Sequence, residues 1–154
     1  MNDIIFTPYM DLLGDDYFMS KALQLAERAF EEDEIPIGAV VVHNQKIIGK
    51  GYNQTEKLTD VTAHAEMIAI TSASEYMGSK FLNECTLYVT VEPCIMCFGA
   101  IEWSRIGKVV FGAHEPKSGY SSKGLAFNHK VESISSVMEV ECANLMKAFF
   151  KKKR

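Results

Sequence analysis

Two short stretches hold the residues best able to do chemistry. His64-Ala65-Glu66 comes first, and Pro93-Cys94-Ile95-Met96-Cys97 follows it. Together they offer one imidazole, two thiols and a carboxylate. The first three are ordinary zinc ligands, and the carboxylate can carry a proton. Three protein ligands leave one position of a tetrahedral zinc open to water, as a catalytic site requires, whereas a structural site fills all four from the protein. Cys94 and Cys97 are i and i+3, so on a helix they share a face. Pro93 suits the entry to that helix, where the N–H it lacks would have no partner. The positive end of the helix favours thiolates over thiols. Thr62 is placed to cap a second helix, which carries His64 and Glu66 ahead of the apolar run Met67-Ile68-Ala69-Ile70. Either stretch alone is weak, since Cys-x-x-Cys also serves as a redox pair or half of a zinc ribbon. Both together, in this order and with proline before the first cysteine, are specific.

The elements that must position these residues follow from periodicity. Phe18, Ala22, Leu25 and Ala29 recur at helical spacing, which predicts an amphipathic helix over 16–32. Asp15 and Asp16 offer its cap, Glu31-Glu32-Asp33-Glu34 reads as a solvated end, and Pro36 closes it. Residues 1–14 are an irregular lead-in broken by Pro8 and Gly14. Gly38-Ala39-Val40-Val41-Val42 is a buried strand, Asn44-Gln45 a turn, and Lys46 to Tyr52 the returning strand of a hairpin. A polar loop over 53–61 leads to the His64 helix, which is apolar nearly all round, reads as buried, and ends at Gly78. Cys85 to Val91 is a third strand, delivering Pro93-Cys94 at its C-terminal end. A helix over 94–103, a strand from Lys108 to Phe111, a loop over 114–124, a weak strand from Lys130 to Ile134 and a final helix marked by Met138, Cys142, Leu145 and Phe149 complete the chain. Strands alternating with helices predict an α/β class protein, a three-layer α/β/α sandwich around a mixed five-stranded sheet, with sites at the C-terminal ends of strands.

The chain has 154 residues, 47% of them hydrophobic, enough for one domain spanning 1–154. Its formal net charge is -4 and its pI near 5.6. Overall charge therefore does not advertise nucleic-acid binding, although a local basic patch can suffice. Neither a signal peptide nor a transmembrane run is legible. Four cysteines without an export signal read as metal chemistry rather than disulfides, and the expected location is the cytoplasm.

At these residues the chain resembles the zinc nucleobase deaminases, and more narrowly the bacterial tRNA-specific adenosine deaminases. The resemblance runs through Asp33-Glu34-Ile35-Pro36-Ile37-Gly38-Ala39-Val40, Thr62-Ala63-His64-Ala65-Glu66, Leu87-Tyr88-Val89-Thr90-Val91-Glu92-Pro93-Cys94 and Ser104-Arg105-Ile106-Gly107-Lys108-Val109-Val110-Phe111-Gly112-Ala113. It continues in the tail from Glu141-Cys142-Ala143 through Phe149-Phe150-Lys151. It implies a cytidine deaminase-like fold and hydrolysis of adenosine to inosine at the wobble position of tRNA, with ammonia released. It also implies one Zn2+ per chain on His64, Cys94 and Cys97, with Glu66 as proton shuttle. The implied assembly is a homodimer that draws contacts to the anticodon stem-loop from both subunits.

For substrate contacts the resemblance points to Asn53, whose amide can donate and accept, though a turn-former after a strand is the plainer reading. Glu115, Lys117 and Tyr120 lie in the loop that meets the anticodon in such enzymes. Phe149 and Phe150 read as core or its edge, and one of them, taken as Phe149, could flank the pocket as a stacking surface. The basic tail Lys151-Lys152-Lys153-Arg154 could read phosphates or simply suit a helix end. Lys108 and Lys123 could join it in a basic rim. Cys85 and Cys142 read as core packing and His43 as surface, while the resemblance places the Asn128-His129 pair near the RNA-contacting loop, with a surface role for His129 equally open. The chain departs from the family where an Arg-Asp-x-Lys run is usual: it has His114-Glu115-Pro116-Lys117 and a shorter loop. A deaminase of free guanine, cytosine or another small base or nucleoside would share every zinc residue. A zinc-stabilised binding module is a third reading, opposed by Glu66 and by a set of only three ligands.

Overall fold

The computed structural model describes residues 13–154; most of the lead-in expected over 1–14 lies outside the described residues. Helix α1 spans Asp15–Glu31 and buries Phe18, Met19, Ala22, Ala26 and Ala29, a stripe with helical period. Asp15 does not cap it. The N-cap is Gly14 with no side-chain cap. Asp15 Oδ1 instead accepts from the Tyr88 hydroxyl at 2.8 Å and from Lys108 Nζ at 3.3 Å, so the carboxylate ties the helix to the sheet. The acidic run that ends the helix is not uniformly solvated either. Glu34 is 1% exposed, and its carboxylate accepts the backbone N–H groups of Glu56 and Lys57 at 3.1 and 2.7 Å.

The strands are β1 (Gly38–His43), β2 (Lys46–Tyr52), β3 (Thr86–Val91), β4 (Lys108–Ala113) and β5 (Glu132–Ile134). They form a mixed sheet in the order β2-β1-β3-β4-β5. β1 is antiparallel to both β2 and β3, while β3, β4 and β5 run parallel. β2, β3 and β4 therefore point the same way, and the segments that leave their C-terminal ends converge on one edge. β5 is shorter than expected and sits at the margin of the sheet, where only three pairings form.

Helices α2 (Ala65–Met77) and α3 (Ile95–Ser104) cover one face, and α1 with α4 (Glu139–Lys152) the other. The strand period of two sorts the core. Ala39, Val41, Leu87, Val89, Val109 and Phe111 pack toward α2 and α3. Val40, Val42, Tyr88 and Val110 pack toward α1 and α4. Both faces are covered, which is why these strands read as unbroken apolar runs.

α2 is not buried all round, as its composition implied. Ala65, Ala69 and Ala73 form the buried stripe, while Tyr76 and Met77 are 56% and 37% exposed. The stripe fits because β2 offers glycine beneath it. A Cβ on Gly51 would stand 2.3 Å from the Ala65 carbonyl oxygen, and one on Gly49 2.4 Å from that of Ala69. The helix backbone thus rests on the strand backbone, and the first turn of α2 is fixed in depth.

Candidate active site

α2 and α3 present their N-termini at the edge where β2 and β3 end. His64 is the N-cap of α2, in extended conformation at φ -77 and ψ 153. Thr62, expected to cap, spends its hydroxyl on Asp60 Oδ1 at 2.7 Å and so shapes the approach to His64. Cys94 is the N-cap of α3, and buried Cys97 lies in its first turn. His64 Nδ1 lies 3.5 Å from Cys94 Sγ and 3.7 Å from Cys97 Sγ. All three donor atoms fall within 4.8 Å of one another.

This triangle fits zinc. Bond lengths of about 2.3 Å to sulfur and 2.0–2.1 Å to nitrogen at tetrahedral angles give N···S edges of about 3.5 Å. Among the described residues the cluster consists of these three donors, which leaves one position of a tetrahedral ion to a further ligand. The electrostatics agree with it. The Cys94 thiol is held down to about 4, first by the Cys97 Sγ contact and then by the His64 ring, against the effect of burial. His64 is shifted up, chiefly by Cys94. Cys97 is shifted up by the same thiol pairing and by burial.

Glu66, in the first turn of α2, is 4% exposed. Burial lifts its carboxyl to about 7, and the nearby Cys94 adds to the rise. A carboxyl poised there can both take and return a proton near neutral pH.

His64, Glu66 and Cys94 open into a cavity of about 250 Å³. Drug-sized sites are larger, at about 300–1,000 Å³; this one suits a single base. Asn53 forms part of its wall, 5% exposed, and its Oδ1 has no hydrogen-bond partner among the described residues. A buried orphan acceptor beside a cavity is a place for a ligand donor. Glu115 also lines the cavity, and its Oε1 accepts the Lys117 backbone N–H at 2.9 Å.

Three expected substrate contacts are not in this wall. Tyr120 is 6% exposed and packs against Phe98, Phe127 and Phe111 at centroid distances of 5.3, 4.7 and 6.2 Å, so it belongs to the core. Phe149 is 4% exposed and meets Phe30 edge-on at 6.1 Å. The next residue, Phe150, lines the cavity with Met146, one turn earlier on the same face of α4. Lys117 is exposed, and Ser118 takes the place at the wall. The basic rim is also thinner than the sequence implied. Lys108 pairs with Asp15, away from the site. Lys153 Nζ lies 2.6 Å from Asp33 Oδ2, and Lys152 Nζ 3.6 Å from Asp33 Oδ1.

Two carboxylates without a role in the sequence reading fix the walls, Glu34 from outside the lining and Glu92 as part of it. Glu34 holds the 53–61 loop, and Glu92 holds the loop after β4, accepting from the Glu115 and Ser121 N–H groups at 3.1 and 2.9 Å. Those hydrogen bonds keep the Glu92 carboxyl below the usual range although burial opposes them. The available signal was its place beside Pro93.

Residues 14–113 match the family profile described as the cytidine and deoxycytidylate deaminase zinc-binding region. The chain is 44% identical over 146 residues to the tRNA-specific adenosine deaminase of Bacillus subtilis (strain 168), covering 91% of each. It is 44% identical over 148 residues to that of Aquifex aeolicus (strain VF5), covering 92% of this chain and 97% of the relative. Among solved structures it superposes, with TM-score 0.79 and 40% identity, on a chain from a study of A-to-I editing by tRNA:A34 deaminases at the wobble position of transfer RNA; the match covers 84% of this chain and 98% of that one. A guanine deaminase of Bacillus subtilis also superposes, with TM-score 0.62 and 37% identity, over 70% of this chain and 67% of that one.

Proposed function

The chain belongs to the cytidine and deoxycytidylate deaminase family of zinc enzymes, among its tRNA-specific adenosine deaminases, and from this we infer that it hydrolyses adenosine to inosine at the wobble position of a tRNA, releasing ammonia. The observation that carries the reading is the donor triangle at a base-sized cavity, in a chain that matches such deaminases over nearly its whole length.

His64, Cys94 and Cys97 hold one zinc ion. When bound, zinc supplies the Lewis acidity that makes water acidic enough to attack near neutral pH. Glu66 takes the proton of the attacking water on its carboxylate. It gives that proton to the ring nitrogen as oxygen adds to C6, then takes the second proton from the added oxygen and gives it to the amine as the C6–N bond breaks. Water enters and ammonia leaves, so the carboxylate ends as it began. Asn53 Oδ1 accepts a hydrogen bond from the bound nucleoside, and Glu115 lines the same cavity. The substrate is the anticodon stem-loop, because an amine inside a stack is out of reach whereas an unstacked loop base enters the cavity.

We read 1–154 as one deaminase domain acting in the cytoplasm, where tRNA is modified. No helix among the described residues is long and apolar enough to cross a membrane. The assembly is a homodimer. Ile95 and Trp103 on α3 are 58% and 85% exposed, an apolar surface of the kind a second copy covers.

Likeness to a guanine deaminase favours one competing reading, turnover of a free base. The deciding experiment offers a tRNA anticodon stem-loop carrying wobble adenosine, and separately free guanine, adenine and cytosine. Inosine in the stem-loop is the expected result. Rapid release of ammonia from a free base, with no inosine in the RNA, would reject the tRNA reading.

A further inference from the structure

We propose that Glu92 is a positioning residue: its buried carboxylate anchors both ends of the 115–121 turn and so sets the wall that meets whatever is attached to the target base. The functional half of this proposal rests on the tRNA reading above.

The side chain of Glu92 is 1% exposed. Oε1 accepts the Glu115 N–H at 3.1 Å, and Oε2 accepts the Ser121 N–H at 2.9 Å. One carboxylate therefore spans the turn from end to end. Bonds from N–H to an ionised oxygen are roughly twice as strong as neutral ones. Backbone contacts work in the same direction. Glu92 N donates to Ala113 O at 2.8 Å, Tyr120 N donates to Pro93 O at 2.9 Å, and Gly119 bridges to Cys94. The turn packs so closely that a Cβ on Gly119 would stand 2.5 Å from the Glu92 carboxyl carbon and 2.5 Å from the Glu115 carbonyl oxygen.

The held turn delivers Glu115 and Ser118 to the cavity wall. Neither belongs to the donor triangle, in which α2 on β2 seats His64 while the start of α3 carries Cys94 and Cys97. Loosening the turn should thus leave zinc and the proton path in place. A base within the cavity meets Asn53, Glu66 and the turn's Glu115 and Ser118, and the rest of the turn is left to meet the nucleotides attached to it. The anchor governs how well a structured RNA seats, more than the chemistry after seating.

Glu92→Gln keeps the shape but leaves only one oxygen to accept. Gly119→Ala attacks the same contact from the loop side, with β3 untouched, and carries the test should the first variant not fold. Each is compared with wild type by amide hydrogen exchange at Glu115 and Ser121 without RNA, by zinc content, and by stem-loop kinetics. Exchange should rise about ten-fold at the amide that loses its acceptor in Glu92→Gln, and at both amides in Gly119→Ala, the factor that accompanies loss of a charge-assisted hydrogen bond. KM for the stem-loop should rise by a similar factor, with kcat and zinc content within about two-fold. Unchanged exchange at both amides overturns the anchor. Faster exchange with unchanged KM, or a fall in kcat alone, overturns its role in seating RNA. A wild-type protein inactive on the stem-loop would reject the tRNA reading and with it the KM half, while the exchange ratio still decides the anchor.

Discussion

The two walls of the cavity are built by different means. The wall with His64, Glu66, Cys94 and Cys97 consists of two helix N-termini set on the sheet by backbone contact and buried apolar packing. The facing wall consists of two loops and one face of α4. Its loops are held by single buried carboxylates, Glu34 and Glu92, and α4 by Phe149 and an exposed ion pair. Sites built on helix ends and strands hold donor atoms more precisely than sites on loops, and metal and proton chemistry need them held to about 0.5 Å. Loops held at a few points can change without disturbing them, which suits recognition. The chemistry and the choice of substrate are thus mechanically separable.

The sharpest way to break this division is to damage the rigid wall. Cys97→Ala removes a buried donor and leaves two ligands. Zinc content should fall from about one per chain to near zero, and deamination of every substrate should be lost with it. Elemental analysis beside an inosine assay reads both. Full zinc occupancy in the variant would remove Cys97 from the ligand set. Glu66→Gln comes next in size. The amide has nearly the same shape and cannot carry the proton, so kcat should fall about 10²–10⁴-fold while zinc remains. Equal loss on stem-loop and on any slowly turned-over nucleoside would mark the lesion as chemical. A loss confined to RNA would place Glu66 on the recognition side instead.

The same division explains what was legible in the sequence. The donors lie at short spacings on single helix starts, so His64, Glu66, Cys94 and Cys97 could be read locally, as could the alternating strands and helices that carry them. Glu34 and Glu92 could not. Each acts on backbone N–H groups more than twenty residues away, with separations of 22 and 23 for Glu34 and 23 and 29 for Glu92, and no local pattern encodes such a pairing. Tyr120 looked like a reader because it sits in a polar loop, yet the 3-10 turn at Tyr120–Lys123 folds its ring into the core. Thr62 and Asp15 had the right chemistry for caps but found partners outside their helices. The helical period was right for α4, but a one-residue step of about 100° separates its core stripe from its cavity stripe.

That step yields the third prediction. Phe149→Ala empties a buried site and should cost about 3–5 kcal/mol of stability, read as a lower melting temperature, with modest change in activity on protein that remains folded. Phe150 is 43% exposed, so Phe150→Ala should leave the melting temperature nearly unchanged and raise KM several-fold, because the cavity loses one wall. The reverse pattern would return the stacking role to Phe149 and reopen the face assigned to α4.

The smallest effect should come from the tail. Lys152 and Lys153 both face Asp33, whose carboxyl they hold below its usual range, the Lys153 hydrogen bond contributing most. Such an exposed pair adds little to stability. It does matter for how the tail meets RNA, since an ammonium that already has a carboxylate beside it gains less from a phosphate. Lys151 has no acidic partner among the described residues. A phosphate contact contributes about 0.7 to the slope of log affinity against log salt for single strands. Lys151→Ala should therefore flatten the slope for stem-loop binding by about that amount if the tail touches the RNA, whereas Lys153→Ala should change it by much less. Salt titrations of the two variants beside wild type make the comparison. Equal flattening by both would mean that the Asp33 pair opens when RNA binds, and the mobile side of the recognition wall would then extend through the last turn of α4.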